Sequence, residues 1–455
     1  MCIRKRALVV VTGLLFLFAA APAALAGLPP KNVIFLIGDG MSFEQVKAAR
    51  YFNGSALSFE GLPYTGSVTT YSANDAVTDS AAAATAIATG HKVNNDVVSV
   101  ALPGDGSELE TLLEHFSAGG KNTGLVTTTY MTHATPAAFG AHDPSRNNTS
   151  NIADDYLTQT QPNVLFGGGA NGMTSADATT AGYTVVTNRV GMQGLNTGTT
   201  TFVSGQFGTT HLPYEYDGDY STLPHLSEMT TTALDILDND PDGFFLMIEG
   251  GRIDHAGHDK NLARLVQETL EFSDAVQLVL NWAGGRTDTL ILVTADHETG
   301  GLAVTGDNGT GFYPSVSWSP AGGHTATNVP IYAWGVNASL VSGTMNNTDL
   351  FNVATAPEPA TMLMLAAVGF LSGKNWRERA ACFLFCFGVW DIAYYGVLWH
   401  LLRWPPSWGT LDLLFLIPGP WIAQVWIPLA ISLCFIAWGS WVVLHPVPFR
   451  GARKR

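Results

Sequence analysis

Between residues 27 and 371 the chain has no cysteine: of four in all, Cys2 comes before that stretch and Cys382, Cys386 and Cys434 come after it. No disulfide can staple this region, so its stability must come from buried apolar surface, which a stretch of this length can supply. Basic residues are also scarce. The whole chain holds 22 Lys and Arg against 37 Asp and Glu. Setting aside three basic groups in 1–26, and eight basic and three acidic groups in 372–455, leaves 11 basic against 34 acidic, a formal charge of −23. That balance excludes a nucleic-acid binder, which needs a basic face. It suits an acidic secreted domain, or one that uses carboxylates to hold cations.

What the chain does have begins with a leader. Arg4, Lys5 and Arg6 precede the apolar run "ALVVVTGLLFLFAAA", and "ALA" at 24–26 offers a small-residue cleavage site before Gly27. Residues 1–26 are therefore expected to be a secretory signal, with the fold formed outside the cytoplasm.

From 27 to 355 short apolar runs alternate with helical stretches. "NVIFLIGDG", "NTGLVTTTYM", "NVLFGGG", "GFFLMIEGG", "TLILVTADH" and "VPIYAWG" are rich in Val, Ile, Leu and Phe. Such continuous runs suit strands buried on both faces, as in a parallel sheet covered by helices. "ELETLLEHFSAG" and "NLARLVQETLEFSDAVQLVLNWA" read as two of those helices. The fold class is α/β, with residues 170–225, rich in Thr and Gly, expected as a loop-rich elaboration.

The polar residues fall at one kind of place. Asp39 follows the run ending at Ile37, and His133 and Thr135 follow the one ending near Met131. Glu249 closes "FFLMIE" with Asp254 and His258 in the next turn, and Asp296 and His297 close "LILVTADH". In open α/β sheets ligands gather outside the carboxyl ends of the strands, so four strands aim carboxylates and imidazoles at one edge. Carboxylate and imidazole at short spacing are divalent-metal donors, and zinc accepts both. Asp254 and His258, four apart, share one face of a helical turn, and "GGHTATN" adds His324. The stretch "VTDSAAAATAIATG" reads first as an ordinary helix capped by Thr78 or Asp79, which leaves Ser80 in its first turn.

Taken in order, "NVIFLIGDGM", "VTDSAAAATA", "HATPAAFGAHDPSR", "NVLFGGG", "FFLMIEGGRIDHAGH", "VTADHETGG" and "GGHTATNVPIYAWG" resemble the alkaline phosphatase family over residues 32 to about 353. The resemblance implies a three-layer sandwich with a mostly parallel central sheet, and hydrolysis of phosphate monoesters through a phosphoserine. It makes Ser80 the nucleophile and Arg146 the clamp on two phosphate oxygens, with Asp79 holding the guanidinium. It implies two Zn²⁺ and one Mg²⁺: Asp254, His258 and His324 for one zinc, Asp39, Asp296 and His297 for the other, and Asp39, Thr135 and Glu249 for magnesium. Ser80 would meet the metals directly, and His133 would lie near the magnesium through water. His133 and His255 stand where some bacterial members carry Asp and Lys and others carry His at both. These residue types suit the chemistry. Two metals about 4 Å apart can activate the attacking oxygen and neutralise the leaving one. A metal lowers a hydroxyl pKa, and a planar Arg fork matches two phosphate oxygens. A phosphodiesterase or sulfatase on a related fold is the second enzyme reading, and a homodimer is the oligomer the family suggests.

Beyond the catalytic stretch, "APEPATMLMLAAVGFLSGKNWRER" (356–379) resembles a PEP-CTERM sorting tail, which implies exosortase-type processing. Residues 380–402 and 421–444 are each long enough to span a bilayer. With 360–371 they suggest three crossings, the catalytic domain outside and the C-terminal "RGARKR" inside. On this reading the protein is exported to the periplasmic or cell-surface side and anchored through a tail, 380–455, whose role the sequence leaves open.

Overall fold

The computed structural model describes residues 30–218, 220–356, 376–402, 407, 411–414 and 421–445. The proposed signal at 1–26, residues 357–375 of the sorting segment and the first proposed crossing at 360–371 lie outside the described residues. The chain divides into two units, Pro29–Ala356 and a second one holding Pro357–Arg455.

In the first unit a ten-stranded sheet carries the fold. Its early strands are β1 (Asn32–Gly38), β2 (Tyr64–Thr69), β3 (Asn122–Tyr130), β4 (Val164–Gly168), β5 (Thr184–Val186), β6 (Val203–Gln206), β7 (Phe244–Gly250) and β8 (Thr289–Thr294). Two short antiparallel pairs follow, β9 (Glu298–Thr299) with β12 (His324–Thr325) and β10 (Ala303–Gly306) with β11 (Ser315–Ser317). Then β13 (Val329–Gly335) and β14 (Gly343–Asn346) return to the main sheet. Its order is β14-β2-β13-β8-β1-β7-β3-β4-β6-β5. Only β13 runs antiparallel to its neighbours; every other pairing is parallel.

All six apolar runs are strands of this sheet, and every residue of β1, β7 and β8 is buried. Two groups of helices flank them. One contains Phe43–Asn53, Leu226–Leu237, Arg252–His258 and Leu262–Ala283; the other contains Ser80–Thr89, Leu112–Ala118, Ala134–Gly140 and Asp349–Thr355. This is the expected three-layer α/β arrangement. Phe116 and Phe139 stack on Phe245 of β7 at centroid distances of 5.6 and 5.9 Å, locking the second group onto the sheet.

Residues 170–225 differ from expectation. They supply β5 and β6 to the main sheet and two short helices, Ser175–Thr180 and Arg189–Gln193. These strands are short and lie at or next to a sheet edge, so they need no continuous apolar run. In β6 the sequence is VSGQ. Gly205 there admits Phe166 and Phe207 so closely that a Cβ would meet their rings at 2.5–2.6 Å. A glycine read as loop is a packing site.

The second unit pairs two helices, Trp376–Leu402 and Trp426–Leu444, with a short antiparallel ribbon of β15 (Leu411–Leu414) and β16 (Trp421–Gln424). Among the described residues no helix is long and apolar enough to cross a membrane, so the expected crossings find no support there. The run 421–444 is split, its first four residues forming β16 rather than helix. The helix Trp376–Leu402 carries Asp391, whose carboxylate takes the Ser432 hydroxyl at 2.7 Å.

A pH-sensitive knot ties the segment before Leu226–Leu237 to the long helix. Buried Glu268 accepts the Glu215 backbone N–H at 2.7 Å, and the Glu215 carboxylate pairs with His225 at 2.9 Å. Burial pushes Glu268 up to about 8. Its folded value lies above its unfolded one, so the stabilisation is full below the unfolded value and fades as pH rises through about 8. Thermal melts from pH 6 to pH 9 should therefore show a falling Tm. Glu268→Gln, which keeps the amide acceptor, should flatten that fall by several degrees; parallel pH profiles would contradict this account.

Candidate metal centre

The parallel register sets the site. Ile37 of β1 lies abreast of Glu249 on β7 and Thr294 on β8, and Glu249 also pairs with Thr127 of β3. Asp39 and Asp296, each two residues beyond those positions, therefore emerge beside Glu249. The backbone turns at Gly40 with φ +73°, and a Cβ there would meet Asp254 Cα at 2.8 Å, so only glycine lets this turn approach the helix Arg252–His258 this closely. Gly40 then stitches the edge together: its N–H donates to Asp296 Oδ1 at 3.2 Å, and its carbonyl accepts Thr299 N–H at 3.2 Å.

Buried oxygens without hydrogen-bond partners collect here. Both carboxylate oxygens of Asp39, Oδ2 of Asp296, Oε1 of Glu249 and the Thr135 hydroxyl are unpartnered. Such groups are costly to bury alone, and as a set they fit the oxygen donors of a divalent cation. Burial, and then the charges of Asp296, Asp254 and Glu249, push Asp39 well above the usual carboxylate range. Burial likewise pushes Asp296 up to about 6 and Glu249 up to about 7. Burial also opposes the Asp254 charge, but the His324 hydrogen bond and the neighbouring imidazoles overcome it and hold this carboxyl low.

Three donor groups form, each with one atom per residue within 4.8 Å of the others: Asp254, His297 and His324; Asp39, Asp296 and His297; Asp39, His133 and Glu249. His258 joins the first, since its Nε2 and that of His324 each lie 3.4 Å from Asp254 Oδ1 and 3.1 Å from one another. The far nitrogens are tethered: His258 Nδ1 donates to the Gly322 carbonyl at 3.1 Å and His324 Nδ1 to that of Thr78 at 2.9 Å. With Nδ1 so engaged, Nε2 of each ring is the nitrogen turned toward Asp254, and on the neutral ring it is the one that can take a metal. His297 Nε2 bridges the first two groups, 3.5 Å from Asp39 Oδ1 and 3.4 Å from Asp296 Oδ2. His133, expected near the magnesium position, has a nitrogen grouped with Asp39 and Glu249. The donor set fits hard and borderline divalent cations.

Ser80 enters this cluster from the other side, its Oγ 3.1 Å from His297 Nε2. It is the first residue of a helix that is buried along its entire length, which small alanine side chains permit. Asp79 is the N-cap and does two jobs. Its Oδ1 accepts the Ala82 N–H at 3.0 Å, and its Oδ2 takes Arg146 Nη1 at 2.9 Å. Arg146 Nη2 lies 3.4 Å from His133 Nε2. A helix start, a guanidinium and a set of metal donors around one hydroxyl suit a tetrahedral anion.

Every site residue expected from the sequence meets this cluster. Others were missed. Thr127 and Thr129 hydroxyls donate to Glu249 Oε2, and Thr299 Oγ1 donates to Asp254 Oδ1 at 2.5 Å. The threonine run of "VTTTY", apolar in position yet hydroxylated, was the available signal. His211 was also missed; its ring lies 4.5 Å from that of His255 and 5.7 Å from that of His133, and no strand pattern leads to it.

Comparison with known proteins agrees with this geometry. The family profile of alkaline phosphatase matches residues 30–321. Alkaline phosphatase 3 of Bacillus subtilis is 40% identical over 61% of this chain and 63% of its own length. Alkaline phosphatase H of Pseudomonas aeruginosa is 32% identical over 70% of this chain and 83% of its own. The chain thus spans under two thirds of the Bacillus relative. Among solved structures, the alkaline phosphatase of the Antarctic bacterium TAB5 superposes with a TM-score of 0.65 at 30% identity, covering 72% of this chain and 97% of that one. A variant of that enzyme was solved with Mg bound in its M3 site.

Metal removal tests the cluster without reference to activity. Zn²⁺ added to chelator-stripped protein should raise the Tm, with about 2.7 kcal/mol gained at a hundredfold excess over Kd. The gain should grow from pH 6 to pH 8, because the cation must displace protons that burial holds on Asp296 and Glu249. Asp39→Asn should lose most of it, and an unaltered gain in that variant would contradict the assignment.

Proposed function

The chain belongs to the alkaline phosphatase family, and from that premise we propose that it hydrolyses phosphate monoesters to an alcohol and inorganic phosphate by way of Ser80. The observation that carries this reading is the Ser80 hydroxyl at the start of a buried helix, 3.1 Å from His297 within a cluster of unpartnered carboxylate oxygens. Asp254, His258 and His324 would hold one Zn²⁺, Asp39, Asp296 and His297 a second, and Asp39, Thr135, Glu249 and His133 would serve Mg²⁺. When bound, these cations would supply Lewis acidity toward the phosphate and lower the pKa of the groups they meet.

The chain's own groups account for the rest. The rigid helix aims Ser80 Oγ at phosphorus, and the ester oxygen leaves as the new O–P bond forms. Water then attacks the phosphoserine, phosphate departs and the Ser80 oxygen is restored. Arg146, braced by Asp79, binds two nonbridging oxygens, and its planar fork stays in register as charge builds on them. The alanines behind Ser80 add no bulk beside the phosphate. Export is part of the reading, supported by the basic, apolar and small-residue order of 1–26.

Hydrolysis of p-nitrophenyl phosphate at alkaline pH by the metal-loaded chain should fall at least about a thousandfold in Ser80→Ala. Arg146→Lys should weaken substrate binding and turnover together, since a point charge replaces a fork. Retained activity in Ser80→Ala would remove the nucleophile assignment. An inert, metal-loaded wild type would remove the monoesterase reading.

A further inference from the structure

Building on that phosphatase reading, we propose a second anion-binding position beside the first, formed by Arg252, His211 and His255, which selects phosphate esters carrying another phosphate a few bonds away. Three lines of observation support it. The first is a row of nitrogen donors leading outward from the phosphate clamp. Arg146 Nη2 lies 3.4 Å from His133 Nε2. The His133 ring is 5.7 Å from that of His211 and 5.8 Å from that of His255, and those two rings are 4.5 Å apart. Tyr130 packs against both His133 and His211, at 5.1 and 5.0 Å, and fixes their planes.

The second line is unmet hydrogen-bonding capacity. Among the described residues His211 Nδ1 and Arg252 Nε are buried without a partner. Unpaired nitrogens recurring along one wall call for acceptor oxygens, and a phosphate supplies several.

The third line is where charge is left over. Only 11 basic residues stand between 27 and 371. The Tyr214 ring lies between two of them, with Arg252 Cζ at 3.7 Å and Arg264 Cζ at 4.3 Å from its centroid. Arg264 takes the nearby acids, pairing with Asp217 at 2.6 Å and Asp259 at 3.7 Å. Arg252 makes no ion pair among the described residues. The buried carboxyl that senses it, Glu268, is held protonated up to about pH 8 and does not cancel its charge below that. An arginine placed by stacking, spared an ion pair among the described residues and three residues before His255 on one short helix is suited to a second anion.

Calorimetry on the metal-loaded full-length protein, carrying Ser80→Ala to stop turnover, would compare fructose monophosphate with fructose bisphosphate. The bisphosphate should bind at least about tenfold more tightly, the scale of one charge-assisted hydrogen bond. Arg252→Gln should bring that ratio close to one, His211→Gln should reduce it, and Arg252→Lys, which preserves the charge should Gln disturb the Tyr214 stack, should keep part of it. No preference in the parent, or a preference that survives both Gln variants, would overturn the subsite. Wild-type turnover of p-nitrophenyl phosphate, measured alongside, separates the two claims: its absence counts against the phosphatase reading, whereas turnover without bisphosphate preference counts against the subsite alone.

Discussion

Four buried carboxylates, Asp39, Glu249, Asp254 and Asp296, share one sheet edge, and the structure around them is organised by the cost of keeping them there. Isolated charges are not tolerated in a protein interior; they pair, take up protons or hold a metal. Asp254 finds imidazole partners and keeps its charge, whereas the other three, short of partners, are pushed upward by burial and by each other. That imbalance makes the edge a receptor for divalent cations.

The parallel sheet makes such crowding possible. Because β1, β7, β8 and β3 run the same way in fixed register, their carboxyl ends deliver side chains to one place without any loop having to reach far. Tight turns then remove the remaining distance, Gly40 above all, where a side chain would collide with the Asp254 backbone. The helix beginning at Ser80 completes the arrangement from the opposite side, and its alanines allow it to be buried throughout. Activity on phosphate monoesters would follow from where charge is concentrated.

Much of this was legible beforehand. The six apolar runs proved to be strands because strands buried on both faces must be apolar along their length. Most of the acidic and imidazole residues could be read because they close one of those runs or follow it within a turn or two, His324 instead preceding one. The strands at or next to the sheet edges, β2, β5, β6 and β14, gave no such signal, being short and in part solvated. His211 was hidden for a related reason: it arrives on a Thr- and Gly-rich connection whose path depends on β6, itself unseen. In the tail, hydropathy suggested crossings, but backbone pairing in β15 and β16 interrupts one of the two runs.

The sequence by itself determined the inventory and its order along the chain: an acidic, cysteine-free α/β domain, a serine opening an alanine-rich helix, and metal donors at strand ends. Those properties are local, written in apolar periodicity and in which residue follows a strand. Tertiary structure alone decided which nitrogen of His258 and His324 faces the centre, through the carbonyls of Gly322 and Thr78, which lie 64 and 246 residues from the histidines they respectively bind. It also decided that His133 stands close to Asp39 and Glu249, and that among the described residues Arg252 is left without an ion pair while Arg264 takes the acidic neighbours. Hydrogen-bond direction and residual charge depend on what packs against a side chain from elsewhere in the chain, and no local pattern encodes that.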